Sequence, residues 1–267
     1  MRVTANGSDF EVMLAGAESR PALFLTHSLA TSHEMWALQV PLLARHFRVV
    51  APDMRGHGAS AAPGGDYTMD QLADDVVAIA DRLGIGRFHF CGLSIGGMIG
   101  QALGLNHAGR LGGLILASTF TGPIGPEARA GLDGRIAAAT RDGMQSQIEP
   151  SMGRWLSADF REAAPRQAQW IRDQIAATPV AGFNGCAAAI REMTLEPARL
   201  TSIKAPTLVI AGEKDPGASP EAGRRIAEAI PGAAMQVIAG GYHLSNVEFP
   251  HIFTEMVLDF LLAGKNG

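Results

Sequence analysis

Apolar runs of strand length alternate with stretches of helical periodicity over most of this chain. Residues Ala22–Thr26, 47–51, 87–91, Leu111–Ala117, 206–212 and 234–239 are short apolar runs that read as strands. Between them, Leu72, Val76, Ile79 and Leu83 recur on one helical face. Thr68 and Gln71 form a capping-box pattern ahead of that face and Gly84 follows it, which predicts a helix over 68–83. Asp70, Asp74 and Asp75 lie early in this helix and read as a solvated face favoured by the helix dipole. A second helix starts near Ile95 and runs through Leu105. A third spans 220–230, with Ser219 as N-cap and Pro220 at its first position. Asn6-Gly7, set between alternating residues, predicts a hairpin at the N-terminus. Strand–helix alternation of this kind calls for an α/β protein with a mostly parallel sheet. Residues 121–200 break the alternation. They hold helix-like pieces separated by Pro123, Pro126, Pro150, Pro165, Pro179 and Pro197, and strand resumes near 206. The expected organisation is a core domain of residues 1–120 and 201–267, with a helical cap of residues 121–200 inserted after the sixth strand.

The candidate chemistry sits at strand ends. Gly92-Leu93-Ser94-Ile95-Gly96 is a Gly-x-Ser-x-Gly between a strand pattern and a helix pattern. There a serine occupies a sharp turn that lifts its hydroxyl above the sheet and aims a helix N-terminus at it. Small neighbours let the backbone approach closely. A dinucleotide turn needs a glycine spacing that Ser94 interrupts, and no Gly-Lys-Ser/Thr follows to make a phosphate loop. A nucleophilic serine needs a base, and the base an orienting acid. Asp215 follows the apolar strand that ends at Gly212, at the carboxyl end of the strand, where functional groups gather in open α/β sheets; Glu213 is its competitor. His243 lies on a Gly-Gly loop after the next strand, which completes the order Ser, Asp, His. The backbone N–H groups of Ile95 and Leu29 are the expected oxyanion donors, with Ser28 as the near alternative to Leu29. No carboxylate follows the strand Leu111–Ala117, which favours Asp215 as the acid. The other seven histidines, among them His27, His33 and His57, read as turn, packing or surface positions. Asp53-Met54-Arg55-Gly56-His57-Gly58-Ala59-Ser60 reads as a turn held by its Asp and Arg side chains.

Composition narrows the function without changing this picture. The 267 residues allow one large domain with an ample core, and 47% hydrophobic with 18% charged residues is ordinary for a soluble enzyme. A net charge of −4 and the lack of a basic run argue against nucleic-acid binding. No stretch is long enough to span a membrane, and the N-terminus does not read as a signal peptide. Two cysteines without metal-ligand spacing, Cys91 and Cys186, suggest reduced thiols in a cytoplasmic protein. The expected partner is a small-molecule ester or lactone. The chemistry of such a triad needs neither metal nor organic cofactor.

The elbow Cys91-Gly-Leu-Ser-Ile-Gly-Gly-Met98, the turn from Asp53 to Ser60 and the run His243-Leu-Ser-Asn-Val-Glu248 resemble the α/β-hydrolase superfamily, and within it the 3-oxoadipate enol-lactonases. The resemblance covers nearly the whole chain and includes Arg154-Trp155 and the segment 182–191. It implies an α/β-hydrolase fold: a mostly parallel eight-stranded sheet flanked by helices, with an inserted helical cap. It also implies hydrolysis of a carboxylic ester or lactone. Two positions depart from the pattern: Ala30 stands where those lactonases tend to have glycine, and residues 120–132 differ. A lactone that carries a carboxylate would want a cation in the cap. Arg154 and Arg191 are the candidates, with Trp155 as an apolar wall. Other readings on the same triad are an esterase of different acyl specificity, a carbon–carbon bond hydrolase and a cofactor-free perhydrolase. A non-catalytic ligand receptor would be favoured by loss of a triad member, and all three are present.

Overall fold

A computed structural model describes residues 1–263. Eight strands form one sheet: β1 (Arg2–Ala5), β2 (Ser8–Ala15), β3 (Ala22–Thr26), β4 (Arg48–Pro52), β5 (Phe88–Leu93), β6 (Leu111–Ala117), β7 (Thr207–Gly212) and β8 (Ala234–Ile238). Their spatial order is β1-β2-β4-β3-β5-β6-β7-β8. The pairs β1–β2 and β2–β4 are antiparallel and the rest are parallel. Asn6 and Gly7 make the predicted two-residue hairpin, both with positive φ (44° and 67°), as a primed turn requires. β3 and β7 are buried along their whole length. That is why they read as continuous apolar runs rather than alternating ones.

The longer helices are α1 (Met69–Arg82), α2 (Ile95–Asn106), α3 (Pro126–Asp142), α4 (Gln145–Trp155), α5 (Ala158–Ala163), α6 (Pro165–Ala177), α7 (Val180–Arg191), α8 (Pro220–Ala229) and α9 (Pro250–Ala263). Helix α1 starts as expected, with the Thr68 side chain accepting from the Gln71 N–H, and buries Leu72, Val76 and Ile79. Helices α3 to α7 all fall between β6 and β7. Among the described residues no helix is long and apolar enough to cross a membrane.

Asp75 corrects the reading of α1 as carrying only solvated acids. It is 3% exposed and pairs with Arg55, whose Nη2 and Nε lie 2.6 and 2.8 Å from its two carboxylate oxygens. Asn6 Nδ2 donates to the same carboxylate at 2.7 Å, so the pair ties the N-terminal hairpin and the 53–60 turn to α1. Burial alone would raise the Asp75 carboxyl, and the Arg55 and Asn6 hydrogen bonds only partly offset it, leaving its pKa above the ordinary value. Replacing Asp75 with alanine strands the Arg55 charge in the core. It is expected to cost about 3–5 kcal/mol in chemical denaturation, as removal of one partner of a buried pair does. A loss below about 1 kcal/mol would contradict a structural role for the pair.

Candidate active site

Ser94 sits between β5 and α2 with φ 61° and ψ −118°, a backbone conformation that costs a residue with a side chain of order 1–3 kcal/mol. The surroundings enforce it. A Cβ on Gly92 would lie 2.1 Å from the Gly96 carbonyl oxygen, and one on Gly96 would lie 2.3 Å from that of Thr26. Only glycine fits at either place, which explains the spacing seen in the sequence. The turn is pinned by Ser94 N–H to the Ala117 carbonyl (2.9 Å) and by the Thr119 hydroxyl to the Ser94 carbonyl (2.8 Å).

Asp215 and His243 come from the loops after β7 and β8 and meet there. His243 Nδ1 lies 2.7 Å from Asp215 Oδ2. The other carboxylate oxygen, Oδ1, accepts from the Gly217 and Ala218 N–H groups at 2.8 and 3.0 Å. Burial alone would push the Asp215 carboxyl up. The His243 charge, the His243 hydrogen bond and those two N–H groups outweigh it and hold the carboxyl below its ordinary value. An ionised Asp215 accepts the Nδ1–H of His243, which leaves Nε2 as the ring nitrogen free to face the cavity. Glu213, the competing acid, instead accepts the Gly240 N–H on the exposed side.

The histidine loop is braced by Glu248, a residue assigned no role of its own from the sequence. Glu248 accepts the N–H of Tyr242 (2.8 Å) with one oxygen and that of Ser157 (2.7 Å) with the other. The Leu244 N–H donates to the Trp155 carbonyl at 3.0 Å, and the Trp155 ring stacks on His243 with centroids 6.3 Å apart. The end of α4 and the histidine loop are therefore bound into one unit.

Ser94, Asp215, His243 and Leu29 line a common cavity of about 420 Å³. Its walls are largely apolar, with Met98, Phe120, Ile124, Leu132, Trp155 and Ile190. Among the described residues, the N–H groups of Leu29 and Ile95 have no backbone acceptor. Ile95 is the first residue of α2, where such donors are left over by the helix itself. The Ser28 carbonyl, in the same peptide plane as the Leu29 N–H, takes hydrogen bonds from Thr31 N–H (3.2 Å), Thr31 Oγ1 (2.8 Å) and His27 Nδ1 (2.8 Å). A trans peptide then turns the Leu29 N–H to the opposite side. The Ala30 N–H is not available to a ligand, because it donates to His57 Nε2 at 3.0 Å. Ala30 itself has φ 61°, so the glycine usual at this position in the lactonases has a conformational basis.

The cations are distributed differently from expectation. Trp155 and Arg154 line the cavity; Arg191 does not. Arg191 is the last residue of α7 and faces outward, where it pairs with Asp66, Asp133 and Glu192. The second cavity arginine is Arg135, on α3, which sequence reasoning passed over. It shares the inward stripe of α3 with Ala128, Gly131 and Leu132, and that helical spacing was the signal available. Arg135 donates to Gln147 Oε1 (3.0 Å) and lies over the Phe183 ring at 5.2 Å. Burial and the nearby Arg154 charge pull its pKa down to about 10. Among the described residues neither Arg135 nor Arg154 has an acidic partner within ion-pair distance. Among the same residues, no group of three His, Cys, Asp or Glu side chains is arranged to hold a metal ion.

His27 and His57 are wholly buried beneath the cavity, and burial pushes their pKa values down to about 4 and about 3. Both stay neutral in the folded protein while an unfolded histidine titrates near 6.5. As pH falls below about 6.5 the unfolded chain takes up protons that the folded chain refuses, so stability drops until pH reaches the folded values. His33 works in the opposite sense, because its hydrogen bond to Asp53 raises its pKa. The net expectation is a loss of about 2–3 kcal/mol in unfolding free energy between pH 6.5 and 5, read from denaturant midpoints. A profile flat over that interval would show that the two rings are not kept neutral.

A family model described as "alpha/beta hydrolase fold" matches residues 21–250. The chain is 35% identical to 3-oxoadipate enol-lactonase 2 of Acinetobacter baylyi, over 91% of this chain and 89% of the relative. Among solved structures, the enol-lactonase from Burkholderia xenovorans LB400 superposes with a TM-score of 0.94 at 38% identity, covering 98% of this chain and 99% of that one. A thermophilic esterase from Thermogutta terrifontis superposes with a TM-score of 0.93 at 29% identity, covering 98% of each chain. With the sheet order, the serine turn and a family match spanning most of its length, this chain belongs to the α/β-hydrolase family.

Proposed function

We propose that this protein is a serine hydrolase that opens a small lactone, or cleaves a carboxylic ester, through an acyl-enzyme on Ser94. The observation that carries the reading is the meeting of Ser94 with the Asp215–His243 pair in one cavity. Ser94 Oγ attacks the carbonyl carbon while His243 Nε2 takes its proton. Asp215 holds the ring and stabilises the imidazolium. The N–H groups of Leu29 and Ile95 donate to the developing oxyanion, and each such donor contributes about 2.7–4 kcal/mol of transition-state stabilisation. His243 then returns the proton to the leaving oxygen. Water, deprotonated by the same ring, releases the acid from Ser94. For an enol-lactone the leaving group is an enol tethered to the acyl chain, and its tautomerisation to a ketone makes ring opening hard to reverse.

The substrate we favour is 3-oxoadipate enol-lactone or a similar small lactone bearing a carboxylate. Two relatives of this chain carry the name enol-lactonase. Arg135 and Arg154 give the cavity two cations without acidic partners among the described residues, and a free carboxylate on the substrate would satisfy them. Trp155 closes the wall beside His243. Residues 121–200 would then act as a cap domain that supplies the specificity, while the sheet supplies the chemistry.

Hydrolysis of a small panel tests the proposal: 3-oxoadipate enol-lactone, simple γ-lactones and p-nitrophenyl acetate, with Ser94→Ala as control. Fast turnover of the enol-lactone, lost in the variant, is the expected result. Turnover of the activated ester alone would keep the serine hydrolase and discard the lactone.

A further inference from the structure

We infer that His57 is a positioning residue for catalysis: its Nε2 fixes the Ala30 N–H and so holds Leu29 in place as an oxyanion donor. The inference rests on the serine-hydrolase reading above and extends it to a side chain outside the cavity.

The oxyanion loop runs Ser28-Leu29-Ala30, and Leu29 is flanked by two peptide planes. The Ser28 carbonyl anchors the first plane. The second has one anchor, the Ala30 N–H, and His57 Nε2 accepts it at 3.0 Å. The loop needs that anchor, because Ala30 has φ 61°, a left-handed conformation that a residue with a Cβ leaves when it is free to do so. Without the bond, Ala30 can relax and carry with it Thr31, whose N–H and hydroxyl hold the Ser28 carbonyl, so that the plane bearing the Leu29 N–H tilts away from the carbonyl it must face.

His57 is built to act only as an acceptor at Nε2. Its Nδ1 faces the Arg55 carbonyl at 3.3 Å, which assigns the proton to Nδ1. The ring is buried and neutral, so this tautomer is kept through the working pH range. The turn that carries it is rigid. Asp53 accepts the Ala59 N–H (2.8 Å), Ser60 donates to the Asp53 carbonyl (2.8 Å), and a Cβ on Gly56 would lie 2.3 Å from the Gly182 Cα of α7. The motif from Asp53 to Ser60 thus delivers one acceptor to a loop about 27 residues upstream.

The test compares His57→Gln, His57→Asn and His57→Leu. A glutamine amide oxygen can stand where Nε2 does; an asparagine is too short, and leucine has no acceptor. Turnover is measured together with the affinity of a trifluoromethyl-ketone analogue, whose hemiketal with Ser94 places an oxyanion in the hole. For Asn and Leu we expect kcat to fall about 20- to 100-fold and ketone affinity to fall by a similar factor, part of the loss seen when a donor is removed outright. KM should change by less than about threefold, and Gln should stay within about fivefold of the parent, as uniform binding is untouched. If Leu does not fold, Asn carries the comparison. Parental kcat and ketone affinity in the Asn variant would overturn the proposal. So would a loss that Gln fails to rescue. If the ketone does not bind the parent in a Ser94-dependent way, the serine-hydrolase reading fails instead, and that outcome is visible before any His57 variant is made.

Discussion

Replacing Ser94 with alanine is expected to lower kcat by about 10⁵- to 10⁶-fold, the scale found when a triad nucleophile is removed. The reason is that the remaining parts cannot substitute for it. Asp215 and His243 then form a base without the hydroxyl that the strand-to-helix turn presents, and water must serve in its place. The oxyanion donors and the cavity wall remain, so a residual acceleration over water of about 10³–10⁴ should survive. KM should stay within a fewfold, because the hydroxyl adds little to ground-state binding. The fold should be unaffected, since the Ser94 N–H and carbonyl, not its hydroxyl, hold the turn to Ala117 and Thr119. Steady-state kinetics on the best substrate of the panel checks this. A loss of less than about tenfold would mean that the chemistry does not pass through Ser94.

The second large effect should come from the two cavity arginines. For a substrate with a free carboxylate, Arg135→Met with Arg154→Ala is expected to lower kcat/KM by about 10²- to 10³-fold, or about 3–4 kcal/mol, as truncation of a desolvated charge pair does. The methyl ester of the same acid should lose less than about threefold, because it presents no charge to either guanidinium. Arg135 should carry more of the effect than Arg154. It is the more deeply set, with its pKa drawn down to about 10, whereas Arg154 lies nearer solvent and its Nε is spent on the Pro150 carbonyl. Arg191→Ala, whose partners Asp66, Asp133 and Glu192 lie outside, should leave both substrates unchanged. Equal losses for the acid and its ester would remove the carboxylate from the account.

Much of this was legible in the sequence, for reasons that differ by residue. Ser94 announces itself because Gly92 and Gly96 are forced by backbone contacts of 2.1 and 2.3 Å, so the spacing is a steric fact. Asp215 and His243 follow apolar strands, and strand ends in a parallel sheet are where side chains of different segments converge. Ala30 was noticed as a departure from the lactonases, and its φ of 61° gives that departure a meaning. What stayed hidden depends on tertiary pairing or on helical phase. Asp75 reads as solvent-facing until Arg55, twenty residues away in sequence, is folded against it. Arg135 sits on α3, a helix polar enough that its inward stripe is faint, while Arg191, a candidate cavity cation at the end of the apolar α7, lies outside the cavity with Asp66, Asp133 and Glu192. Glu248 and His57 act on backbone N–H groups, which leave no side-chain signature in the chain that presents them.

The proposed mechanism requires acyl transfer to pass through Ser94. The most direct measurement is rapid-quench mass spectrometry of the protein during turnover at saturating substrate, followed by peptide mapping. Opening a lactone on the serine adds the whole substrate mass to the protein, since the leaving enol stays tethered to the acyl chain. The expected result is that increment on the peptide carrying Ser94, and its absence together with loss of turnover in Ser94→Ala. An increment on any other residue, or turnover that persists in Ser94→Ala, would contradict it.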